Sequence, residues 1–446
     1  MARRVIVMGA GGRDFHNFNV VYRDDAEVEV VAFTAAQIPG LAGRTYPSQL
    51  SGPRYPAGIP ILSEEELAAV IRDQGVNEVV FAYSDVSYAH VMHRAAIAEA
   101  AGADFTLLGP ESTMLVSRKP VIAVGAVRTG SGKSQTSREI GRILLDSGMR
   151  VVLLRHPMPY HDLDRMRVQR FASIADIDAS NPTLEEREEY ERPVEMGLVV
   201  FAGVDYSEIL ARAEREADVI VWDGGNNDLP FLRPDLLLVV VDPLRPGDEL
   251  SYHPGEVNLR MADVVIVNKI DSATPDEVRL VREDVAAANP DASVIEAASP
   301  VSLAEGPPLA DRAVLVVEDG PTITHGGMSF GAGTVAARQA GVRTQVDPRP
   351  FAVGSIADTY RLFPHIGPVL PAMGYSRDQL RELEKTINAT ECDALISATP
   401  VDLERVIRSR HPVRRATYEL KQLSGPSLAT VLSGVVDLRS SEAGFE

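Results

Sequence analysis

The stretch VIAVGAVRTGSGKSQTSREI, residues 121–140, constrains this chain more than any other. An apolar run enters a glycine-bearing turn, then Lys-Ser, then a helical pattern. Aligned on GSGKS, it keeps Gly132, Lys133 and Ser134 of the phosphate-loop pattern G-x-x-x-x-G-K-[ST], with Val127 where the first glycine stands. The preceding strand, the following helix and Gly130 inside the turn supply the remaining context. Backbone N–H groups of Thr129 to Gly132, at a helix N-terminus, are expected to cradle phosphates together with Lys133. The Ser134 hydroxyl is expected to reach Mg2+. Arg128 occupies the position where dimeric signature-lysine phosphate-loop proteins carry an extra cation. It is expected to stabilise the transferring phosphoryl group, within one chain or across a homodimer.

Residues 118–312 read as the phosphate-loop domain. ADVIVWDGGNND is a strand ending in Asp223, the expected Mg2+-associated carboxylate. DLLLVVVDPLRPGDE and ADVVIVNKID are further strands whose C-terminal ends carry charged loops, as open parallel sheets do around ligands. NKID, with Asn268, Lys269 and Asp271, fits a base-recognition motif in which the aspartate reads guanine, so GTP stands beside ATP as the nucleotide. The lysines are only Lys119, Lys133, Lys269, Lys385 and Lys421. Two of them fall in these motifs, where a compact ammonium has a use that a guanidinium serves less well.

The flanking blocks, 1–117 and 313–446, read as a Rossmann-like α/β domain and a smaller α/β domain. In the first, strands and helices alternate as in a doubly wound parallel sheet, and Ser63 and Glu66 have capping-box spacing. Gly9, Gly11 and Gly12 begin a dinucleotide-type turn, but Asp14 stands where the third glycine belongs, which favours a structural or substrate-facing turn. The last block opens with AVLVVEDGPTITHGGMSFGAG, a strand and a loaded turn. Thr324, Gly326 and Gly327 could present groups to an anion, with Glu318, Asp319 and Thr322 alongside and His325 as acid, base or anion ligand. The remainder reads as helices and one buried strand, CDALISATP, with Thr399, Pro400 and Asp402 opening a final helix.

Composition narrows the partners. A net charge of -19 argues against nucleic acid or an anionic membrane. No apolar run approaches the roughly 20 residues of a membrane span, and no signal segment is evident, so a cytoplasmic protein is expected. Cys392 is the only cysteine, which excludes internal disulfides and cysteine-rich zinc sites. An anionic, phosphorylated small substrate needs a locally basic pocket. Arg155 and His156, leaving a strand end beside the phosphate loop, and Arg245 are the candidates. His161, Arg165, Arg167 and Arg170 follow, either in the pocket or as a solvated face paired with Asp162 and Asp164.

VRTGSGKSQTSR, VIVWDGGNNDLPF, VVDPLRPGDELSYHPGEVNLRMADVVIVNKID, VEDGPTITHGGMSFGAG and ATPVDLERVI together resemble the cyclic 2,3-diphosphoglycerate synthetase family. The resemblance covers nearly the whole chain and is weakest in 1–117. It implies an ATP-dependent ligase that closes 2,3-bisphosphoglycerate into its cyclic pyrophosphate, releasing ADP and phosphate, with Gly130, Gly132, Lys133, Ser134 and Asp223 as site residues. Two alternatives stand beside it: a regulatory or chaperone GTPase, and a phosphoryl-transferring ligase acting on another phosphorylated acid.

Overall fold

Runs such as VIVW, LLLVVV and VVIV have no polar alternation, so each must be covered on both faces, and a parallel sheet sandwiched between helices does this. The computed structural model describes residues 2–35, 41–156, 158, 162–225, 227–374 and 376–438. Its central sheet runs, in spatial order, Gln169–Phe171, Val199–Ala202, Val151–Arg155, Val219–Gly224, Val121–Ala126, Leu236–Val241, Val264–Val267, Ser293–Ala298 and Lys421–Ser424. The inner strands are parallel and the two edge strands antiparallel. Ile140 and Leu144 of the helix Lys133–Asp146 pack on one face, and Trp222, Phe231 and Leu259 fill the other. The parallel arrangement gathers the C-terminal ends of Val121–Ala126, Val151–Arg155 and Val219–Gly224 along one edge, where ligands bind in such folds. The chain is thus an α/β protein with a phosphate-loop core.

The first domain is a six-stranded sheet in the order Thr45–Tyr46, Ile59–Ser63, Val28–Ala35, Arg3–Met8, Glu78–Phe81 and Asp104–Leu107. The Ser63–Glu66 capping box is formed. This domain is fastened to the core by Arg13, which donates to Thr113 Oγ1 at 2.7 Å and to the Leu229 carbonyl at 3.2 Å. His16 adds to this by stacking on Phe231 at 4.2 Å.

The last domain holds more strands than its sequence suggests. Val301–Leu303, Val413–Tyr418, Ala394–Ser397, Ala313–Asp319 and Thr344–Gln345 form its sheet, and Leu370–Ala372 also pairs with Ala313–Asp319. The helix opened by Asp402 is the short Leu403–Val406. VRRATY follows as a strand, and Leu428–Leu432 is a further helix whose leucines enter the central core. Two segments cross the boundary drawn at residue 312. Val301–Leu303 lies in the last sheet, whereas Lys421–Ser424 returns to edge the central one. Among the described residues no helix is long and apolar enough to cross a membrane.

Candidate nucleotide and substrate site

The phosphate loop is held in shape from beneath. Gly130 and Gly132 have φ of 81° and 116°, and a Cβ on Gly132 would lie 2.0 Å from Asn268 Nδ2. Only glycine fits there. Asn268 donates to the Ser131 carbonyl at 2.9 Å, and Lys269 donates to the Gly130 carbonyl at 2.6 Å and to Asp242 at 2.7 Å. The first two residues of NKID therefore brace the loop. Asp271 is exposed and accepts the Ser299 N–H at 3.0 Å, while Lys269, Ser272 and Ser299 line the cavity. Asn268→Ala is expected to weaken nucleotide binding about fivefold to tenfold, the equivalent of one hydrogen bond of about 1 kcal/mol. Titration with nucleotide checks this.

Asp223, 2% exposed, ends its strand facing Lys133, whose ammonium donates to Oδ1 at 3.0 Å. Ser137 and Arg155 also donate to this carboxylate, and Arg155 pairs with Glu189 as well. Burial acts to raise the Asp223 pKa, yet Arg155 and then Lys133 hold it well below the usual carboxylate range. Burial lowers Lys133 to about 8, against the pull of Asp223. Ser134 lines the cavity beside them. This hydroxyl and carboxylate suit Mg2+ in the way phosphate sites do, with nucleotide oxygens completing the set. Among the described residues there is no all-protein group of three metal ligands.

Several expected anion ligands are already engaged. Arg128 donates to Asp85 at 2.7 Å and to Asp248, lies 3.5 Å over the Tyr252 ring, and reaches the His325 carbonyl at 3.3 Å. It ties three domains together at the cavity wall, so its guanidinium does not stand free toward a phosphoryl group. Arg245 donates to the Thr129 carbonyl at 2.9 Å, to Asp242 at 2.9 Å and to the Gly326 carbonyl, which makes it a brace and not a substrate clamp. Arg155 likewise spends its charge on Asp223 and Glu189. The turn after Asp319 offers no open anion nest. The Thr324 hydroxyl donates to the Gly320 carbonyl at 2.7 Å, and the amides of Gly326 and Gly327 bond to the carbonyls of Pro321 and Thr324. The His325 ring is exposed and edge-on to Phe363 at 5.4 Å. Arg170 pairs with Glu216 at the surface, Arg167 donates to the Gln49 carbonyl, and His161 lies outside the described residues.

The first-domain turn is closed from within. Asp14 accepts the N–H groups of Gly11 at 2.9 Å and Gly12 at 3.1 Å, so its carboxylate sits where a dinucleotide phosphate would. Burial pushes Asp14 up to about 6.

Between the three domains lies a cavity of about 340 Å³, and beside the phosphate loop part of its wall is acidic. Glu185, Glu188 and Glu189 come from the helix Leu184–Glu195, which starts at the Thr183–Glu186 capping box, and Glu318 and Asp319 from a strand end. Glu188 accepts from Thr399 Oγ1. Burial holds it well above its ordinary value, with Asp319 and Glu185 adding repulsion. Burial also raises Glu318, although the amides of Gly331, Gly333 and Thr334 all donate to it at 2.8 to 2.9 Å. Asp319 is raised by burial too, and Tyr418, beside these carboxyls, is pushed up to about 12. Sequence reasoning missed Glu185, Glu188 and Glu189, because LEEREEYERP reads as a solvated helix. The only signal was Tyr190 and Val194, whose spacing marks a buried face.

Arginine synthetase ArcE of Thermococcus kodakarensis is 57% identical over 430 residues, 96% of each chain. The chain belongs to the arginine synthetase ArcE family. That relative shares the class of synthetase with the motif resemblance but carries arginine in its name. Among solved structures, LpxK of Aquifex aeolicus, determined with ATP, aligns over 70% of this family member and 86% of its own chain, at 13% identity and TM-score 0.42. The hydrogenase maturation factor HypB of Archaeoglobus fulgidus aligns over 40% and 80%, at 18% identity and TM-score 0.26. No profile of a known protein family matches the chain.

Proposed function

We propose that this protein is a nucleotide-driven synthetase of arginine, using ATP with Mg2+. The observation that carries this reading is the cluster of buried carboxyls, Glu188 with Asp319 and Glu185, that lines the cavity beside the phosphate loop. Buried carboxylates that repel one another and are held above their ordinary pKa gain most from a cation, and a guanidinium is a cation with a planar set of donors suited to paired carboxylates. A highly charged bisphosphate would meet the same wall at a Coulombic cost, on the order of 1 kcal/mol per charge pair at 4 Å even in water.

Synthetases of this kind work in two displacements. The γ-phosphoryl group is transferred to an oxygen of the acceptor, and a second nucleophile then expels that oxygen as phosphate. Positioning and electrostatics do most of this work. Lys133 and the loop amides bind the phosphates, and Arg155 and Ser137 fix the Asp223 carboxylate. Ser134 and Asp223, with the nucleotide, would hold Mg2+, which would supply charge neutralisation on the phosphates. Glu188 and Asp319 orient the cationic end of the amino acid.

A second reading keeps the same two displacements and makes the cyclic pyrophosphate of 2,3-bisphosphoglycerate. Arg138 favours it: this arginine lines the cavity and has no hydrogen bond or ion pair among the described residues. One pair of assays decides. The arginine reading expects ATP to form from ADP and phosphate only when arginine is added. The other expects ADP release from ATP dependent on 2,3-bisphosphoglycerate, with a cyclic product seen by mass spectrometry. Absence of arginine-dependent ATP formation sinks the first reading.

A further inference from the structure

Forming a guanidinium by displacement requires a proton acceptor, and none of the residues assigned so far provides one. Lys133 and Arg155 are cations, Asp223 is held ionised by them, and the carboxyls of the acidic cluster face a cationic group. Of the buried carboxylates left over along the cavity, Asp14 is spent on the amides of Gly11 and Gly12, which leaves Asp228. It is 5% exposed, lines the cavity, and sits on the loop that leaves the Asp223 strand. The backbone beneath it is pinned: Asn227 Nδ2 donates to the Val127 carbonyl at 2.9 Å, and Asn258 Nδ2 donates to the carbonyls of Asn227 at 2.8 Å and Asp228 at 3.1 Å. The same carbonyl of Val127 begins the phosphate loop, so Asp228 is fixed relative to the place where phosphoryl transfer occurs.

We propose that Asp228 is the general acid–base of the second displacement, an assignment that rests on the arginine-forming reading. The nitrogen lone pair forms the C–N bond, the C–O bond breaks with its electron pair leaving on phosphate, and the nitrogen's proton passes to an Asp228 oxygen.

The groups facing Asp228 suit the task. Burial raises it to about 7, opposed by Arg13 and by a hydrogen bond from Ser84, and reinforced by Asp14; Lys133 also lowers it. His156 Nε2 is 3.4 Å away, and Tyr206 stands within electrostatic range. A carboxyl near neutrality can both take and return a proton at working pH.

In the arginine-consuming direction Asp228 must give the proton back, so turnover should fall as pH rises through about 7. Asp228→Asn is expected to lower turnover about 100-fold and to abolish that limb. Its binding of ADP and arginine, measured by calorimetry, should persist and show that it folds. Ser84→Ala removes a bond that favours the ionised form, so it should move the limb to higher pH while keeping activity. A limb that persists in Asp228→Asn, or stays in place in Ser84→Ala, overturns the assignment. A wild-type protein without arginine-dependent ATP formation overturns the parent reading instead.

Discussion

Lys133→Met is expected to lower turnover by at least about 10²- to 10³-fold while the protein stays folded, because one preorganised cation is removed from the developing phosphoryl charge. The fold should survive, since Asp223 keeps Arg155 and Ser137 when the lysine is lost. Orphaning a buried carboxylate costs about 3–5 kcal/mol, and the second cation prevents that. A pH signature accompanies the change. Burial lowers the lysine to about 8 in the folded protein from 10.5 in the unfolded chain. Between those values the unfolded chain binds more protons, so stability rises with pH across that window. Lys133→Met should lose that rise, which denaturant unfolding at pH 7.5 and 10 would show. A variant with near-normal turnover would remove the lysine from the chemistry.

Glu188→Gln should move stability and activity in opposite directions. The Glu188 carboxyl is raised well above its ordinary value by burial and by Asp319 and Glu185, so its ionised form is unfavourable in the empty cavity. The native protein then binds more protons than the unfolded chain above the ordinary carboxylate range, and stability falls as pH climbs through it. The glutamine keeps the shape and a bond with Thr399 but removes this penalty, so melting temperature at pH 7.5 should rise. Arginine affinity should fall about 10²-fold, the scale of a charge-assisted bond of about 2–3 kcal/mol, while nucleotide affinity stays. Thermal melts and calorimetry test both halves. A drop in melting temperature with unchanged arginine binding would make Glu188 a structural carboxylate.

The central domain was legible because its signals are local. Apolar runs buried on both faces, a glycine turn before Lys133 and an aspartate at a strand end follow from chain geometry over a few residues. The acidic cluster was hidden for the converse reason. Glu188 and Asp319 lie far apart in sequence, and nothing within LEEREEYERP separates glutamates that face a cavity from glutamates that face water. The arginines misled for a related reason. Arg128 and Arg245 sit beside the phosphate loop, as their positions imply, but Asp85 and Asp248, which neutralise Arg128, come from separate segments, and Arg245 turns back onto Asp242 of its own turn and the carbonyls of Thr129 and Gly326. The strand VRRATY carries no clear signal of its own, because its charges obscure the alternation of a half-buried strand.

The two crossings between the central and last sheets run side by side, Ala298 opposite Lys421 and Val301 opposite Tyr418. A single linker would leave the last domain free to swivel and drift. Two antiparallel strands clamped together instead act like a strap hinge, which allows swing about one line and resists sliding and twist. The carboxyls Glu318 and Asp319 sit on one leaf, and the phosphate loop on the other. Any swing about that line would change the width of the gap between them more readily than their lateral alignment.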